Sequence, residues 1–119
     1  MLSGFLKFLV TAGFLLYAGL FLYHAYVLIT YPYDVDNSEG FLIYGGHRLA
    51  TGRGLYPNIT EPPYVVGNYP PLYPVLLAVG ERFIGTGFLF GRALCTAATL
   101  GIALLVFIWI QGLSGRRWP

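Results

Sequence analysis

Two long apolar runs frame a polar stretch in this chain. The first, from about Phe5 to Thr30, is built of Phe, Leu, Val, Ala, Gly and Tyr, and only Lys7 and His24 interrupt it. The second runs from about Phe88 to Ile110. Either is long enough to cross roughly 30 Å of hydrocarbon as a helix. Between them, residues 31–73 are polar and rich in Gly, Pro, Asn and Tyr. A shorter apolar piece, 74–84, carries Glu81 and Arg82, is too short to span, and reads as an interfacial or re-entrant helix. Gly85 to Gly87 break the chain before the second run. The pattern predicts an all-α membrane protein. Two transmembrane helices, 5–30 and 88–110, are joined by an extracytoplasmic loop with short interfacial helices, and 111–119 form a tail. A secretory signal is the competing reading of the first run, but that run is longer than a signal core and no small-residue cleavage site closes it. Tyr17, Tyr23, Tyr26, Tyr31 and Tyr33 crowd toward the loop like an interfacial aromatic belt.

Inside the loop, residues 39–51 have helical spacing. Ser38 is the expected N-cap and Gly52 the expected residue just past the C-cap. Leu42, Gly45, Gly46, Leu49 and Ala50 share one face, and Glu39, Ile43 and His47 another, as in a helix lying on a membrane surface. The pairs Pro62-Pro63 and Pro70-Pro71 hold their surroundings extended. In the second apolar run, Gly91, Ala93, Ala97, Ala98 and Gly101 form a small-residue surface suited to close packing on another transmembrane helix. Arg92 near its loop end can snorkel to the interface.

Composition agrees. Of 119 residues, 56% are hydrophobic and 10% charged, against about 25% charged in soluble domains. A net charge of +2 without a basic run gives no basis for nucleic-acid binding. The lone Cys95 allows no internal disulfide and reads as a small buried helix residue. Lys7, Arg116 and Arg117 on one side nearly balance Arg48, Arg53, Arg82 and Arg92 on the other, so charge alone does not orient the chain.

The chemistry sits at the start of the loop, where Asp34, Asp36 and Glu39 follow the first apolar run directly. A carboxylate there can act as a general base on a hydroxyl, or several can hold a divalent cation. The plainer reading is that they cap a helix and face water. His47 and Arg48 could hold a phosphate through charge-assisted bonds, or simply form a solvated helix face. Asn58-Ile59-Thr60 matches the N-glycosylation pattern, which is common by chance.

Taken in order, the pieces are a membrane helix, an acidic cluster, Glu39-Gly40 opening a helix, Gly52-Arg53-Gly54-Leu55-Tyr56-Pro57, Pro62-Pro63-Tyr64, Asn68-Tyr69-Pro70-Pro71-Leu72-Tyr73-Pro74, and a last helix entered through Gly91-Arg92. This set resembles the N-terminal part of the integral-membrane glycosyltransferases of superfamily C. It is most similar to those related to dolichyl-phosphate-mannose and lipid-linked aminoarabinose transferases. The resemblance covers nearly the whole chain. It implies a cell-membrane protein with the loop 31–87 extracytoplasmic and both termini cytoplasmic. It also implies transfer of a sugar from a polyprenyl phosphate to an acceptor hydroxyl or amine. By resemblance Asp36 is the general base, Asp34 the second choice, and Glu39 a support that orients the acceptor or holds a cation with Asp36. His47, Arg48 and Tyr69 are assigned to substrate. Some members need a divalent metal and others do not. Where the family shows an adjacent Asp-Glu pair, Ser38 precedes Glu39 here, leaving open which carboxylate is catalytic. Family enzymes have many more membrane helices, so this chain is expected to be a fragment, inactive alone unless another chain supplies the rest. The alternative is a non-enzymatic two-helix subunit or scaffold whose aromatic loop binds a partner.

Overall fold

The computed structural model describes residues 2–62 and 64–114, and all its regular structure is helical. Four helices follow one another: α1 (Leu2–Thr30), α2 (Asn37–Ala50), α3 (Leu72–Ile84) and α4 (Phe88–Ser114). Arg116 and Arg117 of the expected tail, and Pro63 of the first proline pair, lie outside the described residues. Two helices are long and apolar enough to cross a membrane, over Ser3–Thr30 and Phe88–Leu113. Their outer surfaces are exposed leucine, phenylalanine, valine and isoleucine, which is a costly surface in water and an ordinary one in lipid. The molecule is elongated, 69 × 29 × 27 Å.

Local chemistry sets the ends of α2. The helix starts two residues earlier than the spacing implies. Asp36, rather than Ser38, is its N-cap: its backbone is extended (φ −140°, ψ 139°) and its carboxylate accepts the Ser38 amide at 3.4 Å. A carboxylate, favoured at the positive end of a helix, takes the capping place from the serine hydroxyl two residues later. The C-terminal expectation holds. Gly52 takes φ +76°, its amide bonds to the Leu49 carbonyl at 3.1 Å, and the Arg53 amide reaches the Arg48 carbonyl at 2.7 Å. These two bonds form a Schellman stop, and glycine meets its left-handed backbone without strain.

α2 lies against α3 through its glycine face. Gly45 and Gly46 are buried, and a Cβ on Gly46 would stand 2.8 Å from the Leu77 Cβ and 3.3 Å from the Pro74 carbonyl. Helix α3 begins after Pro71, and Pro74, in its first turn where no amide is needed, is fully buried. An adjoining side of α3 meets the start of α4. The Phe90 ring packs on Gly80, and Gly91 receives Tyr73 and Leu77. The small-residue surface of α4 is therefore used in part, by α3 at Gly91. Ala97 and Ala98 stay exposed, and nothing stands within 4 Å of a Cβ on Gly101.

Candidate functional site

Arg92 is the organising residue. It does not snorkel outward. It is only 8% exposed, on the first turns of α4, and points across the bundle. A guanidinium has five N–H donors, and here every one is used. Nε donates to Glu39 Oε1 at 3.0 Å and Nη2 to Glu39 Oε2 at 2.7 Å. Nη1 donates to the carbonyls of Leu28 and Tyr31, both at 2.7 Å, and Nη2 to that of Tyr33, also at 2.7 Å. The Phe88 ring covers the cation, its centroid 4.7 Å from Cζ. These carbonyls belong to the end of α1 and the turn after it, where a helix leaves acceptors unpaired and favours a cation. One side chain thus ties α1, the loop start, α2 and α4 together.

Glu39 is the other half of the clamp. Besides the bidentate pair, its Oε2 accepts the Val35 amide at 3.0 Å. The Arg92 fork, helped by that amide, holds its carboxyl below the ordinary value of 4.5, against the opposing effect of burial. Glu39 remains an anion with both oxygens engaged. A cation there would share Glu39 with Arg92, and among the described residues no group of three His, Cys, Asp or Glu side chains gathers as a metal site.

Beside the clamp, between α1 and α4, lies a cleft of about 390 Å³. Phe21, Ala25 and Leu28 form its apolar wall, while Asp36, Glu39, Arg92, His24, Tyr73 and Thr96 supply polar atoms. Cys95, expected to be buried, is exposed on this cleft, and its thiol donates to the Tyr73 hydroxyl at 3.6 Å. Burial and that thiol push the Tyr73 hydroxyl far up, so it stays protonated and can donate into the cleft. The Thr96 and Thr99 hydroxyls back-bond to the Arg92 and Cys95 carbonyls of their own helix.

The structure brings Asp36 and Glu39 together on this cleft and places the other expected residues elsewhere. Asp34 does not line it, and its Oδ2 is 4.0 Å from where a Cβ of Gly40 would stand. His47 sits at the far end of α2 and pairs through Nδ1 with Glu81 Oε1 at 2.7 Å; the same oxygen accepts the Thr86 hydroxyl at 2.7 Å. Those two bonds hold the Glu81 carboxyl below its ordinary range. Arg48 donates from Nε to the Gly54 carbonyl at 2.8 Å and lies 5.8 Å from the Tyr44 ring centre. Tyr69 is in the loop interior, its carbonyl accepting the Tyr56 hydroxyl at 3.0 Å. His47, Arg48 and Tyr69 therefore stitch the loop, and none lines the cleft. Sequence reasoning did not single out Tyr73, His24 or the true role of Arg92. The last left a signal: a charge inside an apolar run needs a partner, and an acidic cluster that includes Glu39 follows the other apolar run.

No family model, curated protein or solved structure matches the chain.

Proposed function

We propose that this chain provides the acidic edge of a membrane glycosyl-transfer site, which moves a sugar from a polyprenyl phosphate to an acceptor hydroxyl or amine. Asp36 takes the proton from the acceptor as its oxygen or nitrogen bonds to the sugar C1. The bond from C1 to the phosphate oxygen breaks, and polyprenyl phosphate leaves with the electron pair. In this reading the loop is extracytoplasmic in the cell membrane, both termini are cytoplasmic, and further membrane helices complete the donor site. The observation that supports it is the place of Asp36, an exposed carboxylate on a cleft of about 390 Å³ whose other wall is apolar. A lipid chain and a polar reacting head need such a boundary. Asp36 is preferred to Glu39 as the base because Arg92 bonds both Glu39 oxygens.

The competing reading is a non-enzymatic two-helix scaffold. It is favoured by the fact that Asp36 already has a structural task as the cap of α2. Asp36→Asn separates the two, because Asn caps a helix as well as Asp does but is no base. In the protein assembled with its completing helices, we expect normal thermal stability and a loss of transfer of about 10²–10⁴-fold. Unchanged transfer would leave Asp36 a cap only.

A further inference from the structure

Among the described residues, none covers the outer face of α3. Leu72, Val75, Leu76, Val79 and Phe83 fall on one stripe at helical spacing, and all are exposed, Phe83 at 83%. The opposite stripe, with Pro74, Leu77 and Gly80, is buried against α2 and α4. We infer that the outer stripe is a membrane-docking surface and that its occupant is the lipid of the leaflet on the loop side.

Two observations choose lipid over a protein partner. The first is length. The apolar window of α4 has 26 residues and that of α1 has 28, about 39 and 42 Å at ~1.5 Å per residue, against roughly 30 Å of hydrocarbon. The surplus, on the order of two turns, suits the loop end, where Arg92 and its carbonyl ligands are polar. The second is the path of α3. Its C-terminal end joins α4 through only Gly85–Gly87, while Tyr73 near its start touches Gly91 and Cys95. Helix α3 therefore runs back along the first two turns of α4, at the depth where headgroups give way to acyl chains. Five exposed apolar side chains at that depth meet lipid unless something covers them. Arg82, exposed beside Phe83, is placed to reach a headgroup phosphate. This inference rests on α1 and α4 crossing the bilayer and not on the transfer chemistry.

The test is spin-label accessibility in phosphatidylcholine–phosphatidylglycerol vesicles. Starting from Cys95→Ser, nitroxides are attached singly at Leu76→Cys, Val79→Cys and Phe83→Cys on α3, and at Leu105→Cys on the exposed face of α4. The expected result is that the α3 labels, like Leu105→Cys, collide with dissolved oxygen more often than with a water-soluble nickel complex. Dominant nickel collisions on α3 would put the stripe in water. Low collision with both reagents would mean that a partner or a second copy covers it. Either outcome overturns the inference. The Leu105→Cys label reads the spanning premise separately, and three α3 positions guard against one label perturbing the fold.

Discussion

Arg92 shows how a single side chain can decide a site. Its five donors are all matched, two on a carboxylate and three on carbonyls at the end of α1 and the turn after it. Arg92→Ala strands Glu39 and three acceptors in a poorly solvated place. We expect a loss of about 3–5 kcal/mol, the usual cost of breaking a buried pair, read as a lowered thermal transition in detergent. Arg92→Lys keeps the charge but not the fork, so it should recover only part of that loss. The pH dependence has a definite sign. Because the folded carboxyl of Glu39 lies below its ordinary value of 4.5, the clamp's contribution is full above that value. It disappears as pH falls through the lower folded value. The stability gap between the wild-type chain and Glu39→Gln should accordingly be constant near neutrality and close below about pH 4. At this scale the sequence carried the acids but not their division of labour. Asp36 and Glu39 look alike in a run of acidic residues, and only the arrival of Arg92 from 53 positions away separates the clamped carboxylate from the one that caps α2.

The elements were largely legible. Apolar run lengths gave both long helices, and Gly52 gave the end of α2, because these signals are local. The start of α2 was misplaced because two side chains compete to cap it, and the choice rests on backbone angles. The partner of α2 was also hidden. Its glycine face was visible as a face, but nothing local says that Pro74 and Leu77 fill it. Gly46→Ala tests that packing. Its new methyl would meet the Leu77 Cβ and the Pro74 carbonyl, atoms fixed by the α3 backbone. It should cost about 1–3 kcal/mol. At Gly45 the nearest atom, 3.1 Å away, is the flexible end of Leu55, so Gly45→Ala should cost less. Thermal denaturation of the two variants side by side would order them, and equal stabilities would contradict the packing described.

For the whole molecule, α1 and α4 meet at the loop end through the Arg92 clamp, and their remaining lengths present apolar side chains outward. The loop with α2 and α3 forms a headpiece set on that junction, and the cleft opens where headpiece and spans come together. The two helices long and apolar enough to cross a membrane were plain from run length in the sequence. The cleft was not, since its walls come from positions 21–39, 73 and 92–99 and exist only once α4 has folded back. The central claim is that Asp36 on that cleft does chemistry beyond capping α2. The most direct measurement is the initial rate of sugar transfer from a polyprenyl-phosphate donor by the membrane-reconstituted, helix-complete protein carrying Asp36→Asn or Asp36→Ser. Both substitutions retain a capping side chain. The account predicts that both fold with the stability of the parent and lose transfer alike, whereas Asp34→Asn keeps most of it. Parental transfer rates with either Asp36 substitution would contradict it.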